Sequence, residues 1–549
     1  MASRRTVWAV CFVALGVAVA LGQTATVTGF DATGMIYVDM ARHLARGEGI
    51  VSTIYFPSHV PKFPSPIALW PPLYPAAIAG LLAAGVDAAI ASRLVSLAAF
   101  GVTVGVLWLI GAEVFDEHVG TVAALLLMAW PVITGIAAMA LSENLFIMCI
   151  AISVLLTARV LRDGAAAAHR GRLAAAGGLA MAGAALTRYP GLAVMAITAV
   201  FLLANLRGGS RRDRVRLVAI WSFFAGILPV LLLLRNRVVT GAFMGRGRPP
   251  DDQGAVYHIV FAAKTLVTDG LKLLWRLTVA PEALGVDSRA MIVAVMAGAV
   301  LLLVGLLRGP RVLRALREAG AVLRTAPAAL VVVVGVGYWV VMIAIRSVTA
   351  FEPMNTRMLM PGYGFVLLGA VAVAMAFFDR VGLSRRLLVR VVAVAFAVSM
   401  IGVMVPRAVA AGGPRVAPDP APVWVQWVAA NTPAGSPIIG NRSTDFSFYL
   451  DRPAYSFQVF AVYRSGDRFD RDCALISRHL VLLGWNHAYL VLHSEDGEFD
   501  TDQMARRYGP TVGQLLRGLP TTLPVVPVAR HPEFAVFRIQ QPQWTCETH

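Results

Sequence analysis

Charge is scarce in this chain. Only 14% of its 549 residues are Asp, Glu, Lys or Arg, against 58% hydrophobic. A soluble protein of this length needs far more polar surface, so a wholly soluble fold is excluded. Cysteine is scarce too. Of four, Cys11 and Cys149 lie in apolar runs, and Cys473 and Cys546 lie in polar sequence near the C-terminus. No spacing among them matches a zinc site. A Gly-rich nucleotide fingerprint is missing, and no internal repeat relates the two halves as in many transporters. The basic residues are not interleaved with aromatics as a strand-binding groove requires, which argues against nucleic acid as a partner.

What the chain has is apolar runs of about 18–22 residues separated by Arg clusters, the pattern of a polytopic α-helical membrane protein. The runs predict eleven spans, near 7–28, 88–111, 119–138, 141–159, 173–187, 190–206, 217–234, 290–307, 328–346, 358–378 and 388–406. The first is read as an uncleaved span, since it outruns a signal-peptide core and no small-residue cleavage site follows. Arg-rich loops at 158–172, 207–216, 308–324 and 379–390 belong on the cytoplasmic side, which accounts for a net charge of +17. The run at 67–86 decides parity. It carries Pro71, Pro72 and Pro75 where a helix would begin, so it is expected to dip into the interface without crossing. That leaves 29–87, 235–289, 347–357 and everything after 407 extracytoplasmic, in a cell membrane. From 407 to 549 helical and strand patterns alternate, as in a soluble α/β domain following the 1–406 membrane domain. Outside the cell Cys473 and Cys546 would meet oxidising conditions and could pair.

The stretch "GFDATGMIYVDMARHLARGEGI" at 29–50 places a lone carboxylate, Asp31, just ahead of a helical pattern. Ile36, Tyr37, Met40, Ala41 and Leu44 share one face, while Asp39, Arg42, His43 and Arg46 point elsewhere. This predicts an amphipathic helix lying on the membrane surface, with Asp39 solvated and Glu48 in a turn. Asp31 reads equally as a helix cap or as a group that does chemistry.

The ordered set "FDATGMIYVDMARHLARGEG", "WPPLYPAAIAGLL", "ASRLVSLAAFGVTVGVLWLIG", "MALSENLF", "LTRYPGL", "RNRVVTGAF" and "NTRMLMPGYGFVLLGA" resembles the GT-C glycosyltransferases. The likeness is to protein O-mannosyltransferases and lipid A aminoarabinose transferases, over roughly residues 1–410. The resemblance implies an enzyme that moves a sugar from a polyprenyl-phosphate donor to the hydroxyl of a lipid, glycan or protein acceptor, with inversion. It assigns the general base to Asp31. It also carries over Glu143 of "SEN" as a donor-site acid. Many relatives have two adjacent acids where this chain has Asp31 and Ala32, which weakens the case for a tightly bound metal. A divalent ion bridging Asp31 and Glu143 stays open, and no other cofactor is indicated. The leaving phosphate needs fixed cations. Arg93 and Arg357 at span ends are the candidates, with snorkelling to headgroups as the alternative. Arg188, Arg235 and Arg237 on the outer rim fit either headgroups or donor phosphate. A flippase for lipid-linked sugars would share these arginines, and a non-catalytic scaffold would leave them without a joint purpose.

Overall fold

The computed structural model describes residues 2–540 apart from 26, 28–29, 56–62, 163–166, 207–209, 246–249, 252, 278–309, 350–352, 415, 418, 457–479, 482–483, 486, 495–500, 509 and 520–524. From the N-terminus come α1 (Ala2–Gln23) and α2 (Ala32–Ala45), then the short strands β1 (Val51–Ser52), β2 (Ile54–Tyr55) and β3 (Ser65–Pro66). Next are α3 (Leu73–Ala83), α4 (Ala88–Val114), α5 (Glu117–Ala129), α6 (Pro131–Ala138) and α7 (Glu143–Val160). They lead to α8 (Ala167–Thr187), α9 (Pro190–Asn205), α10 (Arg211–Thr240) and α11 (Gly254–Leu277). The helices Ala326–Arg346, Thr356–Arg380 and Arg385–Ser399 follow.

Among the described residues six helices are long and apolar enough to cross a membrane: α1, α4, α7, α10, Ala326–Arg346 and Thr356–Arg380. The pair α5 and α6 makes a seventh if it is one span bent by 65°. The bend falls at Trp130, where Pro131 removes a backbone donor. Of the eleven expected spans, these are the ones that meet the length and hydropathy of a crossing helix among the described residues. α9 has 16 residues, about 24 Å of helix, short of the hydrocarbon thickness. α8 is rich in Ala and Gly, and the run at 388–406 passes from helix into a π turn at Met400–Met404. The expected span at 290–307 lies outside the described residues, as do Cys473 and Cys546. The segment 67–86 folds as α3, whose 11 residues are too short to cross.

α4 is the central helix. Asp87 caps it by accepting from the backbone N–H of Ala89 and Ile90. α1 lies against it so closely that a Cβ at Gly101 would stand 2.8 Å from the Val13 carbonyl, and one at Gly105 2.9 Å from that of Ala9. Small residues that let backbones approach are the usual solution for helices packed in lipid. The region 235–289 was expected to be an outer loop, yet it contains α11. Its inward face holds His258, Ala262, Asp269 and Leu273, while Val256, Ile259, Val260 and Val267 are exposed. Two polar groups on the buried face and several apolar ones on the exposed face blur the soluble pattern.

The C-terminal part is a six-stranded mixed sheet in the order β2–β5–β4–β6–β8–β7. Here β4 is Ile438–Gly440, β5 Ala454–Ser456, β6 Ala488–His493, β7 Val525–Arg530 and β8 Phe534–Ile539. β2, β5, β4 and β6 run parallel, and β8 and β7 add antiparallel to the far side. The edge strand β2 comes from the segment after α2, so residues on the two sides of 407 share one sheet.

α2 is not a surface helix. Its polar face meets the C-terminal part, where Arg42 donates to the carbonyls of Ser447 and Phe448 at 3.2 and 2.9 Å, and Arg46 pairs with Asp451. Asp39, expected in water, is fully buried. Ser52 Oγ and Thr53 Oγ1 donate to it, as does the Thr53 backbone N–H at 3.0 Å, and His43 Nε2 lies 3.7 Å away. The correction has a simple cause: a second layer covers the face that the membrane-surface reading assigned to solvent.

Candidate active site

The site forms where α2, α7, the α8–α9 junction and the start of the helix Thr356–Arg380 converge. Asp31 has extended backbone (φ −67°, ψ 146°) and caps α2, accepting from the Thr33 N–H at 2.8 Å. The turn before α7 is tight. Ala140 adopts a left-handed φ of 56°, uncommon for a residue with a Cβ. Ser96 Oγ holds this turn through the Ala137 carbonyl at 2.9 Å and itself accepts from Asn144 Nδ2 at 2.9 Å. α2 packs on the turn at Gly34, where a Cβ would come within 3.2 Å of the Ala140 carbonyl. The result is that Glu143, the first residue of α7, is fully buried and faces the Asp31 end of α2.

Two guanidinium groups converge on Glu143. Arg188 Nη1 donates to Glu143 Oε1 at 2.6 Å and to Ser142 Oγ at 3.3 Å. Arg357 Nε donates to the same Oε1, and Arg357 Nη1 stands 3.7 Å from Asp31 Oδ1. Arg357 therefore spans two carboxylates of unlike exposure: the Asp31 side chain is 36% exposed and that of Glu143 is 0%. Two acids and two cations balance, and Asp31 is the acid that an incoming molecule can reach.

The structure thus brings together Asp31, Glu143, Arg188 and Arg357 of the residues expected from the sequence. The others sit elsewhere. Arg93 is fully buried, donates to the carbonyls of Val416 and Ala417 at 3.3 and 3.1 Å, and lies 4.6 Å over the Phe30 ring. Arg235 donates to the carbonyls of Ile67 and Ile50 at 2.8 and 3.0 Å, fastening the segment between α2 and α3. Arg237 donates to the Gly241 carbonyl at the end of its own helix and lies over Phe243.

Sequence reasoning missed Tyr37, whose Oη is 2.9 Å from Ser142 Oγ, in the same network as Arg188. Burial pushes its hydroxyl up from the ordinary tyrosine range, while Arg188 pulls the other way. Its place on the apolar face of α2 was legible, but the partner across the helix was not. A second buried cluster was also missed: Asp251 accepts from Arg346 and lies 2.7 Å from His258 Nε2. Burial raises the Asp251 carboxyl, but hydrogen bonds from His258, Arg346 and the Gln253 N–H prevail and hold it at about 2.

Asp31 and Glu143 do not suit a bridging ion as they stand, because the Arg357 guanidinium lies between them. Among the described residues no group of three or more His, Cys, Asp or Glu gathers as a metal site.

A family model described as dolichyl-phosphate-mannose-protein mannosyltransferase matches residues 70–233. Among solved structures, ArnT from Cupriavidus metallidurans bound to undecaprenyl phosphate is similar with a TM-score of 0.59 and 15% identity, over 97% of this chain and 98% of that one. The oligosaccharyltransferase AglB from Archaeoglobus fulgidus, in complex with an inhibitory peptide and a dolichol-phosphate, aligns with a TM-score of 0.54 and 11% identity, over 98% of this chain and 74% of that one. The arabinofuranosyltransferase AftD from mycobacteria aligns with a TM-score of 0.53 and 16% identity, over 97% of this chain and 40% of that one. The fold is that of the GT-C glycosyltransferases. No curated protein sequence matches the chain. Within this GT-C fold the stretch matched by the family model contains Arg93, Glu143 and Arg188, while Asp31 and Arg357 fall outside it.

Proposed function

We propose that this protein is a membrane glycosyltransferase that moves one sugar from a polyprenyl-phosphate donor to a hydroxyl of a lipid, glycan or protein acceptor on the extracytoplasmic face. The observation that carries the reading is Arg357 reaching both the accessible Asp31 and the buried Glu143, with Arg188 on the same carboxylate. The fold and the lipid phosphates named for ArnT and AglB support it.

In this reading Asp31 takes the proton from the acceptor hydroxyl as its oxygen attacks the anomeric carbon. The bond from that carbon to the phosphate oxygen breaks, and its electron pair leaves with the polyprenyl phosphate. Attack opposite the leaving group inverts the configuration. The phosphate gains negative charge as it departs, so guanidinium groups aimed at it lower the barrier. Arg357 and Arg188 supply that charge, and Glu143 keeps the two cations together before the donor arrives. Arg93, Arg235 and Arg237 act on the donor only by holding the surrounding backbone. A general base is worth about 10²–10⁴ in rate, and alignment of donor and acceptor supplies much of the rest.

The test is purified protein incubated with a radiolabelled polyprenyl-phosphate sugar and a membrane extract as acceptor. Label moving from donor to acceptor, or released to water, supports the transferase. Movement of intact donor across a vesicle without bond cleavage would favour the flippase instead. For the orientation, cysteines placed at Asp87 and at Arg211 should label from opposite faces, with Asp87 outside.

A further inference from the structure

The C-terminal sheet offers a second place for a ligand. β4 lies between β5 and β6, all parallel, and the chain leaves β4 for β5 on one side before returning to β6 on the other. One face is covered by the helices Val423–Asn431 and Ser443–Leu450 through Val425, Val428 and Phe446. The other is covered by Met504, Val512, Leu515 and Leu516. In sheets wound this way the carboxyl ends of the strands at the reversal frame a crevice, and ligands bind there.

The crevice here has a specific chemistry. Asn441 follows β4 and exchanges hydrogen bonds with the His493 backbone at the end of β6, at 2.7 and 3.0 Å, which ties the two strand ends together. The Trp424 ring stands 3.8 Å from the His493 ring, and the Arg442 guanidinium lies 5.9 Å from the Trp424 ring. Asp445 Oδ2 accepts from Trp424 Nε1 at 3.2 Å and from Arg442 Nε at 3.1 Å. The carboxyl is thereby turned toward the residues that wall the crevice. Among the described residues its other oxygen, Oδ1, has no hydrogen-bond partner, and neither does Ser443 Oγ, although both residues are only 1% exposed. Buried polar atoms are nearly always paired, so two orphans in the first turn of one helix call for a partner from outside.

The orphans select the partner's chemistry. A carboxylate oxygen needs a donor, a serine hydroxyl can give or take, and the half-exposed Arg442 can only give. An anion would meet the Asp445 charge, and a bare cation would find too few acidic or His ligands. A neutral ring with several hydroxyls fits, its C–H face against Trp424 and its O–H groups on Asp445, Ser443 and Arg442. We infer that the crevice between β4 and β6 binds a saccharide. On the transferase reading, this saccharide is a glycan portion of the acceptor, held apart from the reacting hydroxyl. The link to the active site is one helix long. Ser443–Leu450 spans about 12 Å. It begins at the crevice and ends against α2, where Phe448 packs on Phe30, the neighbour of Asp31.

The test is saturation-transfer NMR on the full-length protein in detergent, using methyl α-mannopyranoside and methyl α-arabinofuranoside as probes, with binding of inorganic phosphate followed in parallel by broadening of its phosphorus resonance. A glycoside should receive saturation, and Asp445→Asn should weaken its binding by about 10–100-fold. Ser443→Ala is the gentler variant should Asp445→Asn elute as aggregate, and it should weaken binding in the same sense. Asp31→Asn should bind the glycoside as the parent does. Intact binding in that variant with transfer unimpaired would sink the base assignment and leave the crevice standing. No saturation of either glycoside, saturation that both crevice variants leave unchanged, or binding of phosphate alone overturns the proposal.

Discussion

Asp31 and Asp39 sit eight residues apart in and just before one helix, and they have opposite fates. Asp31 meets one backbone N–H and one guanidinium and keeps a third of its side chain open. Asp39 is sealed, with two hydroxyls and a backbone N–H donating to it. Neutral donors satisfy a buried carboxylate and fix it in place, which suits a joint between parts. A carboxylate capped by a single N–H beside one guanidinium, with part of its side chain open, leaves room for an incoming hydroxyl. The difference teaches that an acid's partners, more than its position in a motif, distinguish chemistry from construction.

Substitution by Asn probes that contrast most strongly at Asp31. Asn caps a helix about as well as Asp, so folding should be nearly unchanged. Transfer should fall by about 10²–10⁴, since the amide cannot take the proton. Donor affinity should hold. A transfer rate near the parent's would place Asp31 with Asp39 among the structural acids.

Glu143→Gln comes next. It removes the charge that two buried cations share, and breaking a buried pair from one side typically costs about 3–5 kcal/mol. The expected outcome is a large drop in melting temperature together with altered donor affinity, because Arg188 and Arg357 lose their common anchor. A stable variant with normal donor binding would show that the cations are held by something else.

Asp39→Asn should cost about 1–3 kcal/mol, the range for leaving a buried hydrogen-bonding group unmatched. One of the donors from Ser52 or Thr53 would then face an NH₂ group. Transfer per folded molecule should stay close to the parent's. A rate loss as large as that of Asp31→Asn, without loss of stability, would erase the distinction between the two acids.

Much of this contrast was out of reach of the sequence, for physical reasons that can be named. The spans declare themselves because lipid demands long apolar runs, and Asp31, Glu143, Arg188 and Arg357 stand out as charges at their ends. What gathers them is a left-handed turn at Ala140 and the absence of a Cβ at Gly34, neither of which carries a composition signal. β2 is two residues long and pairs with a strand some 400 positions away, so no local pattern announces it. The polar face of α2 looked solvated because its true neighbour, the helix Ser443–Leu450, is distant in sequence.

Arg93 gives the smallest and most discriminating effect. The charge on a leaving phosphate made it a candidate ligand, whereas its guanidinium lies on Phe30 and donates to the carbonyls of Val416 and Ala417. Those contacts join α4 and the neighbour of Asp31 to the connector before the C-terminal part. Arg93→Lys keeps the charge but loses the planar fork that serves two carbonyls while stacking on a ring. If Arg93 is a clamp, this variant should lose about 1–2 kcal/mol of stability, the scale of a charge-assisted hydrogen bond. Its donor affinity should be unchanged, with any fall in transfer appearing in kcat through a shifted Asp31. If Arg93 instead grips the donor phosphate, Lys as a point charge would preserve stability and weaken donor binding. A melting curve and a donor titration on the same preparation separate the two, because each reading moves only one of the measurements.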